Sequence, residues 1–291
     1  MALDTVSVSI IVPVYNDATG IAQTIESLLK LNHTPAEILI IDNNSTDNTR
    51  DVIRQSAGNH DHIQLLVEDQ VQGSYAARNR GIEYATGDVL VFLDADETVT
   101  SDWLGAAVRA LIDQDVDYLG CNVELTLGQH TYVGKYNVRT GFPIKEYIQK
   151  QHYAPTCALL VRKQVFNQIG SFDSRLISGG DKEFGERAYE AGYKQGYTDS
   201  ATVYHPARTQ FKSLAKKNIR VGRGFCQLQR HYPERYGNPG IPPRPEGPTT
   251  SSGNGKEPTS TQVVFFVLSI VMLAFRGFGY YYEFISSRKT D

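Results

Sequence analysis

Short apolar segments alternate with segments of helical periodicity over the first two thirds of the chain. The apolar segments have the length of buried β-strands and lie at residues 6–14, 37–42, 63–68 and 89–94. Between the first two, Ile21, Ile25 and Leu28 recur at the spacing of one helix face. This alternation is typical of βαβ units and predicts an α/β domain with a mostly parallel central sheet.

The C-terminal part of the chain follows a different pattern. Residues 237–260 include six Pro, five Gly and six Ser or Thr, which predicts a linker after a folded domain at 1–236. Residues 261–285 are predicted to form a membrane-associated or transmembrane helix, because the sequence there is mostly apolar and Arg276 is its main interruption. The alternatives are a helix in the membrane interface and a core helix docked on the domain, and the long linker argues against docking.

Composition excludes several classes of protein. The 291 residues are 41% hydrophobic and 21% charged, as in ordinary folded proteins. The net charge of −3 gives no field that would attract nucleic acid, so no nucleic-acid partner is expected. Three widely spaced cysteines, Cys121, Cys157 and Cys226, indicate neither a disulfide framework nor a zinc site and fit a reducing cytosol. The N-terminus shows no pattern of a secretory signal.

Positive charge is concentrated between residues 205 and 235, which include eight Lys or Arg residues and one acid, Glu234. One interpretation is a solvated helix face. The other is a surface that contacts phosphates, either those of a diphosphate ligand or those of anionic lipids.

Candidate chemistry begins where the fourth apolar segment ends. Ligands of such sheets collect at the carboxyl ends of the strands, and here Asp94 and Asp96 follow a buried strand with one residue between them. Their repulsion indicates a bound Mg²⁺ or Mn²⁺, although Asp also commonly ends a strand. Upstream, residues 73–81 place glycines and Arg78 where a helix opens, which suits an anion; an ordinary helix with exposed arginines is the alternative.

Five motifs, in order and spacing, resemble those of family 2 glycosyltransferases. They lie at residues 11–16, 40–49, 73–81, 92–97 and 179–187. The resemblance covers about residues 6–208 and implies a single nucleotide-diphospho-sugar transferase fold, type A of the glycosyltransferases. It also implies an N-terminal nucleotide half, a C-terminal acceptor half and an inverting transfer assisted by Mg²⁺ or Mn²⁺.

The resemblance also assigns nucleotide-facing positions. Pro13, Tyr15 and Asn16 match the loop that faces the nucleotide, and Asp42 with Asn43 matches the pair that receives the base. Many family members carry a second Asp in place of Asn43. An amide both donates and accepts hydrogen bonds, so the identity of the base stays open.

The metal-binding positions come from the same resemblance. Asp94 matches the carboxylate near the ribose and Asp96 matches the metal ligand. Glu97 stands where a third acid often occurs, and the resemblance implies that it contacts the ion through water. His205 matches a position that helps to hold metal or diphosphate, and a purely structural histidine is the alternative. Arg78 belongs to the donor-binding set.

Asp181 matches the general base of the family. A Glu usually precedes this residue, whereas Gly180 stands here. The alternative role for Asp181 is to cap a helix at 182–191, since Asp is a preferred N-cap. Trp103 is expected to pack in the core rather than to stack on an acceptor.

Together these features predict an enzyme at the cell membrane with a cytoplasmic catalytic domain. It would transfer a hexose from a nucleotide-diphospho-sugar to a lipid-linked glycan on polyprenyl or dolichyl phosphate, for surface polysaccharide or protein glycosylation. A phosphatase of the haloacid dehalogenase type is an alternative, because residues 94–98 also read Asp-x-Asp-x-Thr. A non-catalytic membrane protein that binds nucleotide sugars is another.

Overall fold

A computed structural model describes residues 6–243 and 258–287, which fall into two compact units. The first unit contains the residues up to 124, together with 144–174 and 180–205. The second contains 125–143, 175–179 and the described residues from 206 onward.

The first unit is a sheet with helices on its faces. Its strands are β1 (Val8–Val14), β2 (Glu37–Asp42), β3 (Ile63–Val67), β4 (Val89–Phe92), β5 (Thr98–Val99), β6 (Tyr118–Thr126), β7 (Leu159–Arg162) and β8 (Gln195–Pro206), of which β6 and β8 end at the boundary of the unit. Its helices are α1 (Ala18–Leu28), α2 (Thr49–Ala57), α3 (Ser74–Tyr84), α4 (Trp103–Asp113), α6 (Ile144–Gln151), α7 (Lys163–Ile169) and α8 (Gly180–Glu190). The second unit contains α5 (Tyr132–Thr140), α9 (Phe211–His231), α10 (Pro233–Tyr236) and α11 (Thr259–Ser287).

Within the described ranges, the strands form one eight-stranded sheet in the order β3-β2-β1-β4-β7-β6-β8-β5. The pairs β3–β2, β2–β1 and β1–β4 are parallel. The pairs β4–β7, β7–β6 and β8–β5 are antiparallel. All six residues of β2 are buried, as expected for a parallel strand covered on both faces. The α/β fold predicted from the sequence is confirmed, and its parallel part is the segment that holds the four predicted strands.

Strand order brings distant residues to one edge of this sheet. β2 ends at Asp42, and the loop after β4 contains the carboxylates at 94–97. The short strand β5 follows that loop and pairs with the end of β8, with Thr98 opposite Tyr204. His205 is the next residue, so the antiparallel pair places it beside the loop after β4.

The second unit is organised by two helices that approach each other closely. At their crossing, a Cβ on Gly222 of α9 would overlap the carbonyl oxygen of Arg276 of α11, and a Cβ on Gly279 would overlap that of Ile219. The two backbones therefore meet where neither helix has a side chain. A small apolar cluster extends the contact to α5, and it comprises Tyr136, Leu214, Phe265 and Met272.

Helix α11 covers the predicted membrane helix at 261–285. One of its faces packs on α9, which the predicted linker had argued against, and the other face is exposed and apolar. The most exposed of these apolar side chains are Phe266, Phe278, Val263, Ile285, Ile270 and Val267. Among the described residues, α11 alone is long and apolar enough to cross a membrane. Most of the predicted linker, residues 244–257, lies outside the described residues, so the predicted domain boundaries stay predictions.

The helix crossing makes a prediction about stability. Gly222→Ala should lower the melting temperature of the full chain by roughly 3–10 °C, because an overpacked contact typically costs about 1–3 kcal/mol. Gly277→Ala is the matched control, since nothing lies within 4 Å of a Cβ at that position of α11. Thermal unfolding in detergent measures both variants. Equal melting temperatures for the two would show that the helices do not cross at Gly222.

Candidate active site

The loop after β4 and the end of β8 form a cluster of possible metal ligands. Ligand atoms of Asp94, Glu97 and His205 lie within 4.8 Å of one another. Asp96 is adjacent, with its Oδ2 3.9 Å from Nδ1 of His205. The structure thus brings the two predicted metal ligands, Asp96 and His205, into one place, together with two further carboxylates.

Glu97 is the most deeply buried member of this cluster. Its Oε2 accepts a hydrogen bond from the backbone N–H of Asp94 at 2.7 Å, and among the described residues its buried Oε1 has no hydrogen-bond partner. Burial, followed by the nearby charge of Asp94, raises the pKa of Glu97 well above its usual range. A buried carboxylate oxygen without a partner is costly, and oxygen ligands of this kind suit Mg²⁺ or Mn²⁺. The residues present therefore fit a divalent cation.

Helix α1 holds this loop in place through one side chain. The hydroxyl of Thr24 lies 2.9 Å from the carbonyl oxygen of Ala95 and 2.7 Å from that of Glu97. Sequence reasoning missed Thr24. The available signal was a polar residue on the apolar face of the helix, next to Ile25.

Arg78 is buried rather than exposed. Its side chain is 4% exposed, and its Nη2 donates to Oδ1 of Asp94 at 2.5 Å. The alternative of an ordinary helix with exposed arginines is therefore wrong for this residue. Arg78 brings a positive charge from α3 to the edge of the carboxylate cluster.

Asp42 lies wholly buried at the end of β2. Its Oδ2 accepts from Nε of Arg50 at 2.6 Å and from the backbone N–H of Ser45 at 3.1 Å. Its Oδ1 has no hydrogen-bond partner in the part of the chain that the structure describes. Arg50 was not predicted as a site residue, because nothing in its sequence pattern distinguishes it from an exposed helix residue.

The amide of Asn43 is fully used within the protein. Its Nδ2 donates to the carbonyl oxygens of Glu68 and Val71 at 3.0 and 2.9 Å. Its Oδ1 accepts from Nε2 of Gln72 at 3.0 Å and from the N–H of Gly73 at 2.7 Å. These four bonds fill the hydrogen-bonding capacity of a side-chain amide. Asn43 therefore fixes the loop that leads into α3.

The loop after β1 presents one exposed aromatic ring. Asn16 has a positive φ of 50°, and its Oδ1 accepts from the backbone N–H of Thr46 at 2.8 Å. Its own N–H donates to Oγ of Ser45 at 2.9 Å, which joins the loops after β1 and β2. Pro13 pairs with Ile41 inside the sheet, whereas Tyr15 is 52% exposed.

Asp181 lies in the first turn of α8. Its Oδ1 accepts from the N–H of Lys182 at 3.0 Å and from the hydroxyl of Tyr75 at 3.3 Å. Burial raises the pKa of Asp181, while the hydrogen bond from Lys182, the charge of Arg78 and the hydrogen bond from Tyr75 oppose this rise in that order. The helix begins at Gly180, so Asp181 is inside it and does not hold the N-cap position.

Two further residues have structural roles. Glu183 is buried and forms an ion pair with Arg187 at 2.8 Å, so its carboxylate is engaged within α8. Trp103 is 1% exposed and packs in the core, as expected.

Helix α3 connects the two groups of acids. Arg78 pairs with Asp94, and Tyr75, three residues earlier and therefore on the same face of the helix, contacts Asp181. The arrangement offers a cation site, a fixed positive charge and a carboxylate with a raised pKa. Such a set suits the departure of a diphosphate and the removal of a proton from a nucleophile.

A family model and several curated proteins match this chain. The model of glycosyl transferase family 2 matches residues 9–170. Glycosyltransferase AglE of Haloferax volcanii is 39% identical over 224 residues, which cover 76% of this chain and 73% of that protein. An Escherichia coli protein, the UDP-Glc:alpha-D-GlcNAc-diphosphoundecaprenol beta-1,3-glucosyltransferase WfgD, is 31% identical over 46% of this chain and 52% of its own length.

A solved structure supports the fold. The mannosyltransferase PcManGT of Pyrobaculum calidifontis, in complex with GDP-Man and Mn²⁺, aligns over 94% of this chain and 74% of that chain with a TM-score of 0.62. Its identity of 20% shows a shared fold alone. The family match and the relatives set aside the phosphatase and the non-catalytic protein. The chain belongs to glycosyl transferase family 2 and is a glycosyltransferase that uses a nucleotide-sugar donor.

Proposed function

We propose that this enzyme transfers a hexose, with inversion, from a nucleotide-diphospho-sugar to a hydroxyl of a lipid-linked glycan. The observation that carries the donor side is the cluster of Asp94, Glu97 and His205, where the buried Oε1 of Glu97 has no hydrogen-bond partner among the described residues. With Asp96 beside it, this cluster would hold Mg²⁺ or Mn²⁺. The cation would neutralise charge on the diphosphate leaving group.

The chain's own side chains supply the remaining chemistry. Asp181 takes the proton of the acceptor hydroxyl, whose oxygen attacks the anomeric carbon as the bond to the diphosphate breaks. Arg78 keeps a positive charge next to Asp94, close to where the leaving group gains negative charge. A single displacement with one base inverts the anomeric configuration.

Residues of the first unit form the nucleotide side. Tyr15 offers an exposed ring for stacking, and Asn16 fixes the loop that carries it. Asp42, whose buried Oδ1 has no hydrogen-bond partner among the described residues, lies beside the proposed base site, while Asn43 and Pro13 shape its surroundings. Incubation with GDP-mannose, UDP-glucose and UDP-N-acetylglucosamine in turn, with Mn²⁺ and polyprenyl-linked acceptors, tests the proposal. Consumption of one donor with transfer to lipid supports it, and free phosphomonoester hydrolysis alone contradicts it.

The second unit supports a membrane location for the acceptor. Helix α11 exposes an apolar face, and α9, which packs on its other face, carries six Lys or Arg and no acid. Basic residues beside an apolar face match a membrane with anionic headgroups. By its name, WfgD acts on alpha-D-GlcNAc-diphosphoundecaprenol, a lipid-linked acceptor, which supports a lipid-linked glycan as the acceptor here. Because nucleotide sugars are made in the cytosol, we propose that the catalytic domain faces the cytoplasm.

The pairing with α9 favours an α11 that lies in the interface over one that spans the bilayer. Nε of Arg223 on α9 is 2.7 Å from Oε2 of Glu283 on α11, and Arg276 donates to Oδ1 of Asn218 at 3.0 Å. An α11 that crossed the bilayer would draw these charges and the basic residues of α9 into hydrocarbon, at high cost.

Metal removal is expected to abolish transfer. Chelation with EDTA, or the variant Asp96→Ala, should lower the rate of donor consumption by about 10³-fold or more, because the diphosphate then leaves without charge compensation. Asp113→Ala, at an exposed acid of α4, is the control and should keep the wild-type rate. Transfer by the Asp96→Ala variant at the wild-type rate would contradict the metal-site assignment.

Loss of the base should affect turnover but not donor binding. Asp181→Asn keeps the size of the side chain and removes the proton acceptor, so kcat should fall by about 10²- to 10⁴-fold while the donor Kd changes little. Because burial raises the pKa of Asp181, the acidic limb of the wild-type pH profile should lie above the range of an ordinary carboxyl group. Glu190→Gln, on the exposed part of the same helix, is the control. An unchanged kcat in the Asp181→Asn variant would mean that another group is the base.

Membrane attachment is expected to depend on the exposed face of α11. Combined Phe266→Gln, Ile270→Gln and Leu273→Gln changes should move the protein from the membrane pellet to the supernatant, since they remove apolar area from one face. The control replaces three exposed apolar side chains of the first unit by Gln, at Val67, Val71 and Tyr84. A triple α11 variant that stays in the pellet contradicts the assignment.

Cysteines placed at the two ends of α11 should react with an impermeant maleimide from the same side if the helix lies flat.

A further inference from the structure

The side chain of Tyr75 reaches from α3 to the beginning of α8. Its hydroxyl oxygen accepts hydrogen bonds from the backbone N–H groups of Gly180 at 2.9 Å and Asp181 at 3.3 Å. The same hydroxyl donates to Oδ1 of Asp181 at 3.3 Å. One atom therefore satisfies the first N–H groups of the helix and contacts the carboxylate within it.

The ring that carries this hydroxyl is held firmly. Tyr75 is 6% exposed, its ring centroid is 5.8 Å from that of Phe172, and the guanidinium of Arg78 lies 5.8 Å from its centroid. A Cβ at position 180 would lie 2.8 Å from Cε2 and Cζ of this ring, which is closer than carbon atoms approach. The ring thus occupies the space that any side chain at Gly180 would need.

We infer that Tyr75 is a positioning residue for Asp181, an inference that rests on the proposed role of Asp181 as the base. Among the described residues, the hydrogen bonds from Lys182 and Tyr75 both end on Oδ1. Oδ1 is therefore held, and Oδ2 is the oxygen left to accept the proton of the acceptor hydroxyl. Hydrogen bonds of catalytic groups are often long before substrate binds and tighten in the reacting complex.

The groups around Asp181 link its contact with Tyr75 to the pH dependence of turnover. The other titratable or charged groups that face the carboxylate are Arg78 on α3, Tyr118 on β6 and Cys157, which precedes β7. Burial raises the pKa of both the Tyr118 phenol and the Cys157 thiol, so these two groups are neutral in the working range. Stabilisation of the Asp181 carboxylate thus depends on the N–H of Lys182, the charge of Arg78, the hydroxyl of Tyr75 and the residue's own N–H. Loss of the Tyr75 hydroxyl therefore raises the pKa of Asp181 further.

The test compares variants of the full chain. Its donor is whichever of GDP-mannose, UDP-glucose and UDP-N-acetylglucosamine the wild-type enzyme consumes. Tyr75→Phe keeps the ring and removes the hydroxyl; kcat should fall about 10-fold with little change in KM, and the acidic limb should move up by roughly half to one pH unit. Tyr84→Phe, on the same helix, removes an exposed hydroxyl that contacts Arg80 and should change neither quantity.

A second pair of variants tests the same contact from the other side. Gly180→Ala should displace the ring and reproduce the effect of Tyr75→Phe on the pH profile. Gly105→Ala is its control, because the nearest atom to a Cβ there, on His33, lies at 3.7 Å, an ordinary contact distance. Thermal unfolding of each variant identifies any that fails to fold.

The outcomes separate this inference from the proposed function. If Asp181→Asn is inactive while Tyr75→Phe and Gly180→Ala keep the wild-type kcat and pH profile, the role of Tyr75 is overturned and the base stands. If Asp181→Asn keeps the wild-type kcat, the base assignment itself fails. A shifted acidic limb in Tyr75→Phe together with an inactive Asp181→Asn supports both.

Discussion

The ion pair between the buried guanidinium of Arg78 and the partly exposed carboxylate of Asp94 is the interaction on which the rest of the site depends. A guanidinium that is 4% exposed needs a partner within reach, and Oδ1 of Asp94 supplies it at 2.5 Å. The pair fixes α3 against the loop that follows β4. It forms only because α3 lies close to the sheet, where a Cβ on Gly81 would be 2.6 Å from Cγ2 of Ile11. Close packing of Gly81 against β1 therefore helps to bring the positive charge of Arg78 to the site.

Charge repulsion and burial both disfavour ionised carboxylates in the loop after β4. Asp94 and Asp96 stand beside Glu97, and burial of the last raises its pKa well above the usual range. Arg78 offsets part of this repulsion from one side, and a divalent cation would offset more from the side of His205. Under the proposed function, the charges that affect the stability of the loop are the same ones that would bind the diphosphate.

The second unit is held together by the close packing of two helices and by an ion pair between them. Its helices meet through Gly222 and Gly279, and the pair of Arg223 with Glu283 closes one end of the contact. The outward face of α11 buries nothing in the described chain. An apolar face on one helix and basic side chains on its partner are what a protein needs in order to rest on an anionic membrane.

Much of the fold and part of the site could be predicted from the sequence alone. Strand and helix periods are local properties, so β1 to β4, the apolar helix and the carboxylates after β4 were all visible. Motif order then identified Asp181 and His205 as candidates. What the sequence did not contain is which side chains are shared between elements. The four hydrogen bonds of Asn43, the ion pair of Arg78 with Asp94 and the contact of Tyr75 with Asp181 join residues 16 to 106 positions apart. Only the tertiary structure decided these contacts. Hydrogen bonds form between groups that are close in space, and the periodicity of the sequence does not show which distant residues come together.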